Sequence, residues 1–148
     1  MKRIAVLILV LFLFGCGTPE KEVEKVTVEF RPAQTEPVEG WTLMTIPETV
    51  QAFYVDNEVL ISNADIAWAV VASWEGRPVV ELTLTESGKE KFAQVTKENV
   101  GKRMGILVNG ELVLVPVIQA PILNGKAIID GKFTEEEAER IATGIISQ

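Results

Sequence analysis

The sequence predicts an α+β fold, a two-layer sandwich of a mostly antiparallel sheet with two amphipathic helices packed on one face. Segments of alternating apolar and polar residues make up most of the chain. Two segments instead show helical periodicity, and Asn109-Gly110, a strong hairpin signal, lies between two apolar strands. Strands interrupted by two amphipathic helices are typical of a sheet with helices on one side.

The first third of the chain predicts three strands. Residues 26–30 alternate between apolar and polar types, and residues 52–55 and 58–61 form two further short apolar segments. Residues 31–40 contain two prolines and a glycine, which favours a loop. Residues 41–50 give no clear pattern.

The segment 63–74 fits two interpretations. A helix would place Ile66, Val70 and Trp74 on one face. A strand would group a larger apolar set, which consists of Ile66, Trp68, Val70, Ala72 and Trp74. We expect a short helical turn over residues 63–66 and then a strand, which the Gly-Arg-Pro sequence after it ends.

The first helix follows a clear half-buried strand at residues 80–84. Thr85 is predicted to cap a helix over residues 86–100, and Gly101 to end it in the left-handed conformation. The residues predicted to face the core are Gly88, Phe92, Val95 and Asn99, and the glycine is expected to permit close packing.

The last third predicts a hairpin, a strand and a helix. The hairpin strands are residues 103–108 and 111–118, and a short strand follows at residues 126–129. Thr134 and Glu137 match a capping box, so a helix begins there. The residues spaced to form its buried face are Ala138, Ile141, Ala142 and Ile145.

The N-terminus predicts export and a lipid anchor. A basic start precedes an apolar run over residues 4–13, which is too short to span a membrane. Leu13-Phe14-Gly15-Cys16 then matches a bacterial lipobox, and Cys16 is the only cysteine of the chain. We expect a signal peptide over residues 1–15, a lipidated Cys16 with a flexible tether over residues 16–25, and one domain over residues 26–148, held by lipid on the extracytoplasmic side of a bacterial cell membrane. An uncleaved anchor or an ordinary signal peptide is the alternative.

The composition argues against several classes of function. The chain has no histidine and a formal net charge of −7, with 21 acidic and 14 basic residues. Without histidine, the chain lacks the commonest general base and the commonest metal ligand. The negative net charge disfavours binding of nucleic acid, because such binding depends on neutralising phosphates. We expect no metal, no cofactor and no catalytic residues. The acidic run Glu135-Glu136-Glu137 is interpreted as a helix start, where negative charge is favourable.

Several spaced motifs resemble one family. These are Val80 to Gly88 (VELTLTESG), Lys91-Phe92-Ala93, Thr96 to Lys102 (TKENVGK), Ile106 to Gly110 (ILVNG), Pro116-Val117-Ile118, and Ala127 to Gly131 (AIIDG). In this order they resemble the head subdomain of the first periplasmic domain of SecD, the membrane subunit that assists protein export. The resemblance covers residues 26–148. One departure is Leu114-Val115, where the family has small residues, which disfavours a groove at that strand.

The resemblance implies a non-catalytic, tethered head domain without the family's membrane part. Three functions follow as hypotheses. The first is an export module that binds unfolded or emerging polypeptide, or components of the Sec translocon. The second is an envelope lipoprotein with a specific folded partner. The third, a carboxylate hydrolase, would need paired acids in a deep pocket.

The tryptophans of residues 66–74 are the candidate binding residues. The resemblance implies that the family's apolar positions in this strand are Ala69 and Val71. If these two residues face the helices, alternation places Trp68, Val70 and Trp74 on the uncovered side of the sheet. An exposed apolar patch of this kind usually marks a binding surface. The alternative is that the segment carrying Trp41 folds over them as a second small core.

Overall fold

The computed structural model describes residues 22–47 and 49–146. The predicted signal peptide and the lipidation of Cys16 lie outside these residues. The described part contains eight strands, a short 3₁₀ turn at Asn63–Asp65 and two α-helices. In chain order the elements are β1 (Val28–Gln34), β2 (Thr42–Thr45), β3 (Ala52–Val55), β4 (Ile66–Trp74), β5 (Arg77–Leu84), α1 (Glu86–Glu98), β6 (Arg103–Val108), β7 (Glu111–Leu114), β8 (Lys126–Ile129) and α2 (Glu135–Ile146).

The strands divide into two sheets. Five strands pair in the order β2-β3-β1-β6-β7, and three pair in the order β4-β5-β8. Each pairing between these strands is antiparallel. The α+β class predicted from the sequence is confirmed. The division into two sheets was not predicted, because the alternation of apolar and polar residues does not specify which strands pair.

Both helices pack on one face of the three-stranded sheet. Val80, Leu82 and Leu84 of β5 point to that face and are buried. Phe92 of α1 and Ile141 of α2 belong to the same core cluster. Val28, Phe30 and Ile106 of the five-stranded sheet complete this core, which therefore joins both sheets and both helices.

A second, smaller core lies on the other face of the five-stranded sheet. Its buried members are Ala33, Phe53, Val55, Leu107, Leu112 and Val115. Leu107 alternates with Ile106 along β6, so the two side chains enter different cores. The Arg103 guanidinium lies 5.7 Å from the ring centre of Phe53, within the range of a cation–π contact.

The predicted helix caps are confirmed. In α1, Gly88 N–H donates to Thr85 Oγ1 at 3.0 Å. In α2, Glu137 N–H donates to Thr134 Oγ1 at 3.2 Å, and Thr134 N–H donates to Glu137 Oε2 at 2.8 Å. These bonds satisfy amide groups that have no partner inside the helix.

The predicted turns are also confirmed. Asn109 and Gly110 both have positive φ, at 50° and 79°, as a two-residue hairpin between β6 and β7 requires. Gly101 follows α1 with φ of 84°. The segment 63–74, which fitted two interpretations, forms the expected short helical turn at Asn63–Asp65 and then strand β4.

The loop predicted after residue 30 was wrong, because β1 continues through Pro32 to Gln34. Pro32 O accepts a hydrogen bond from Asp56 N–H at 2.9 Å, on the side away from β6. Since the nitrogen and oxygen of a strand residue point to the same side, the proline removes no donor from the β1–β6 ladder.

Two further strand predictions were wrong in extent. Residues 58–61 do not form a strand, although Ile61 makes an isolated bridge with Phe30. The second hairpin strand ends at Leu114 rather than at residue 118. Beyond it Pro116 has no N–H to donate, and only an isolated bridge of Val117 with Arg103 continues the pairing. A strand over 42–45, in the segment without a clear pattern, was not predicted.

Helix α1 is also shorter than predicted. It ends at Glu98 rather than at residue 100, and Thr96 rather than Asn99 is fully buried. Thr96 Oγ1 donates to Phe92 O at 2.7 Å and accepts from Ile122 N–H at 2.9 Å. A threonine that ties a distant loop to the helix cannot be recognised from helical spacing alone.

Candidate functional site

Strand β4 divides its side chains between the core and the opposite side of the sheet. Ala69 pairs with Leu82, and Val71 with Val80, so these two residues of β4 face the helices. Residues that alternate with them point away from the helices. Trp68, Val70 and Trp74 therefore lie on the side that neither helix covers, as the sequence predicts.

A fourth exposed apolar residue joins them from β8. Val70 pairs with Glu81 of β5, and Glu81 pairs with Ile128. Residues opposite each other in paired strands lie on the same face, so Ile128 shares the face of Val70. The sequence analysis missed Ile128, because its position depends on the pairing of β8 with β5.

All four of these large apolar side chains are exposed. The exposed fraction is 57% for Trp68, 37% for Val70, 52% for Trp74 and 39% for Ile128. We refer to these four residues as the open face. A cluster of exposed aromatic and aliphatic groups on one sheet face is a candidate binding surface, unlike single exposed residues.

Two ion pairs cross the same side of the sheet. Lys126 Nζ lies 2.7 Å from Glu81 Oε1, beside Val70 and Ile128. Arg77, which pairs with Trp74, places its guanidinium 2.9 Å from Asp130 Oδ2. Because these charges are already paired, the apolar side chains are the main groups that this face offers to a ligand. The paired polar groups lie at its margin.

The alternative, in which the segment with Trp41 covers Trp68 and Trp74, was wrong. Trp41 lines a concavity of the other sheet, together with Pro32, Gln34 and Arg103. The second core also belongs to the five-stranded sheet, and none of its buried members comes from β4. Trp68 and Trp74 therefore remain accessible in the part of the chain that the structure describes.

An apolar cleft of about 400 Å³ lies beneath residues 116–122. Phe92, Met104 and Ile106 line it, together with Pro116 and Ile122. Leu114 and Val115, which were expected to disfavour a groove at this strand, do not line the cleft. Leu114 packs against the main core and Val115 is buried in the second core.

The acidic start of α2 has a structural role. Hydrogen bonds from the backbone and side chain of Thr134 hold the pKa of Glu137 below its usual value. This is the effect expected for a carboxylate that accepts capping hydrogen bonds. Across residues 22–47 and 49–146, no group of three or more acidic side chains is arranged to hold a metal ion. No helix of this part is long and apolar enough to span a membrane.

The family is shown by comparison with known proteins. A family model described as SecDF, P1 head subdomain, matches residues 41–147. The chain belongs to this family. The match includes both helices and the whole three-stranded sheet that carries the open face.

Two relatives and one solved structure give the extent of the similarity. The chain is 44% identical over 84 residues to protein translocase subunit SecDF of Thermus thermophilus, which covers 56% of this chain and 11% of that protein. It is 29% identical over 120 residues to SecD of Acidaminococcus fermentans, which covers 80% of this chain and 28% of that protein. A solved structure of SecDF, described as a membrane component that enhances protein export, has a TM-score of 0.69 at 31% identity and covers 84% of this chain and 64% of that one.

The similarity to SecD is therefore limited to one domain, the P1 head subdomain. The chain spans between 11% and 28% of the two relatives. The resemblance to a SecD head, stated from spaced motifs in the sequence, is confirmed.

Proposed function

We propose that this protein is a membrane-tethered, non-catalytic module of protein export that binds non-native polypeptide through its open face. The open face is the observation that carries the proposal. Membership in the SecDF P1 head family supports it, as does the similarity to a membrane component that enhances protein export. The ligand in this proposal is an unfolded or emerging chain, and the translocon components are the alternative partner at the same face.

The chemistry of the open face suits such a ligand. Two indole rings provide large, rigid contact area, and an unfolded chain exposes the apolar side chains that would cover it. The acidic balance of the protein, with a net charge of −7, favours ligands with basic flanks. Salt is expected to weaken that contribution, since charges in water are screened beyond about 8 to 10 Å at moderate ionic strength.

We expect modest affinity. One small patch must offset the entropy lost when a flexible ligand becomes ordered. Weak binding suits a module that must release its ligand. Binding is expected to require no nucleotide, metal or disulfide exchange.

The tether belongs to the proposal as well. Lipid on Cys16 would hold the domain at the extracytoplasmic side of the membrane, where exported chains emerge. Several acyl chains anchor stably, because each buried methylene contributes about 0.8 kcal/mol. The second candidate, an envelope lipoprotein with one folded partner, would use the same face for a partner of fixed structure.

The test is binding of a reduced, permanently unfolded protein that carries a fluorescent label. Its anisotropy is measured as the full chain, in nanodiscs of zwitterionic lipid, is added. Trp68→Ala and Trp74→Ala are expected to weaken binding at least fivefold, with an unchanged circular dichroism spectrum. Leu43→Ala is the matched control, because Leu43 is 57% exposed, as Trp68 is, but lies on the other sheet.

The outcomes separate the candidates. Equal binding by the two tryptophan variants, the control and the wild type would exclude the open face as the site. Loss of folding in both tryptophan variants would make these residues part of a core. Binding of one natively folded envelope protein in preference to the unfolded probe would favour the second candidate.

A further inference from the structure

Strand β4 forms an unprotected edge of the three-stranded sheet. It is the outer strand of the order β4-β5-β8, and in the described part of the chain only β5 pairs with it. Its nine residues, IAWAVVASW, include no charged residue and no proline. Its one irregularity lies between Ile66 and Trp68, so the stretch from Trp68 to Trp74 is regular. A long, uncharged edge presents a row of unpaired backbone donors and acceptors to another strand.

The other sheet edges in residues 22–47 and 49–146 are protected. Strands β2, β7 and β8 have four residues each. Pro47 follows β2 closely and Pro116 follows β7, while β8 begins with Lys126. Short edges, prolines and lysines are the usual means of preventing strand addition. Strand β4 has none of these protections, so its backbone donors and acceptors remain available for pairing with another strand.

A groove runs beside this edge. Its volume is about 390 Å³, and it lies between β4 and the exposed side of α2. The residues that line it are Ala69, Val70, Val71, Glu139, Ala142, Thr143 and Ile146. Side chains of a strand added to β4 would alternate between this groove and the open face. The groove thus has an apolar floor with a carboxylate at its rim.

The charges near the groove favour a basic occupant. Glu139 lies on it, and the first turn of α2 adds three further acidic residues. The one basic residue of α2, Arg140, does not line the groove but lines a neighbouring concavity together with Glu139. Glu22, Glu24 and Glu136 line that concavity too, so four carboxylates surround one cation there. A second copy of this chain would bring a second uncharged β4 and the same excess of acidic residues to the edge, so like charges would face each other.

We infer that β4 binds an extended polypeptide segment as an added strand, and that the segment alternates apolar and basic residues. The inference rests on the proposed function and specifies its ligand. Backbone hydrogen bonds to β4 give affinity without regard to sequence, and the groove and the open face select the side chains. Such a mode suits a protein that meets many different extended chains.

The test uses synthetic decapeptides of alternating lysine and valine, labelled with fluorescein. Two further versions carry N-methyl groups on every second residue, one version on the lysines and the other on the valines. Methylation removes backbone donors from one edge of the peptide and keeps its charge. We expect at least one methylated version to bind the full chain in zwitterionic nanodiscs at least tenfold more weakly than the parent peptide. Equal binding of all three peptides overturns strand addition.

The charge of the ligand is tested separately. Glu139→Gln is expected to raise the Kd of the parent peptide at least threefold. The matched control is Glu90→Gln, an exposed glutamate on α1 that lies away from the groove. Equal effects of the two substitutions would overturn the assignment of the acidic rim.

Two outcomes distinguish this inference from the proposed function. If methylation has no effect while Trp68→Ala still weakens binding of unfolded protein, strand addition fails and the open face remains the site. If the chain forms a dimer that the parent peptide does not dissociate in sedimentation experiments, β4 is an interface between copies and the inference is overturned.

Discussion

Gly88→Ala tests how α1 is seated on the rest of the fold. A Cβ at position 88 would lie 2.4 Å from Asp65 O and 3.0 Å from Asp65 Cβ. The first of these is a backbone atom of the 3₁₀ turn, and it accepts Thr85 N–H at 2.9 Å. A 2.4 Å contact cannot persist, so either the turn or the first turn of α1 must move.

The expected cost follows from these contacts. Overpacking of a well-ordered site costs about 1 to 3 kcal/mol, and the hydrogen bond between Thr85 and Asp65 contributes about 1 kcal/mol more if it breaks. Alanine recovers at most about 1 kcal/mol through its higher helix propensity. We count nothing for the ion pair of Lys91 with Asp65, since the lysine side chain is 48% exposed. The net expectation is a loss of about 2 kcal/mol in the free energy of unfolding.

Urea denaturation followed by circular dichroism measures this loss. Glu90→Ala, at an exposed position of the same helix, is the control and should change the free energy of unfolding by less than about 0.5 kcal/mol. A Gly88→Ala variant as stable as the wild type, or more stable, would show that helix propensity outweighs the contact. The close approach of α1 to the 3₁₀ turn would then be refuted.

Three other changes have defined outcomes. Gly110→Val should lower the free energy of unfolding by about 1 to 2 kcal/mol in urea denaturation, because φ of 79° is strained for a residue with a side chain, even though no atom lies within 4 Å of the added Cβ. Gly110→Asn is the control, because asparagine tolerates this conformation. Equal stabilities of the two variants would contradict the hairpin. Thr134→Ala should cost about 1 kcal/mol at pH 7. Because the folded pKa of Glu137 is lowered, the capping-box stabilisation is present above the pKa of the unfolded state and is lost as pH falls through the folded pKa. The difference in stability between wild type and Thr134→Ala should therefore shrink in acid. Cys16→Ser should abolish fatty-acid labelling and release the protein or leave it unprocessed; equal label on both would refute lipidation.

Local signals in the sequence predicted the elements they control directly. Thr85 and the Thr134–Glu137 pair mark helix starts because their side chains bond amides of the same turn. The Asn109-Gly110 turn was predictable because few residue pairs adopt positive φ twice in succession. The strands over 52–55 and 126–129 have the bounds that the apolar pattern indicates.

Features that depend on distant partners were not predictable. Pro32 remains in a strand because its missing donor faces away from β6. Thr96 is buried because a loop 26 residues later bonds its hydroxyl. The same distinction applies to the site. Alternation, together with the resemblance at Ala69 and Val71, placed Trp68, Val70 and Trp74 on the uncovered face. Ile128 joins them only through the pairing of β8 with β5.

Photo-crosslinking during export tests the central claim most directly. A photoreactive amino acid is placed at Val70, on the open face, or at Leu43, on the other sheet, and a secreted protein is pulse-labelled in living cells. Leu43 is the more exposed of the two, at 57% against 37%, so greater accessibility cannot explain a crosslink that is specific to Val70. The account predicts crosslinks from Val70 to the newly exported chain, which disappear when the chain has folded, and none from Leu43. Equal crosslinking from both positions, or none from Val70 during export, would contradict it.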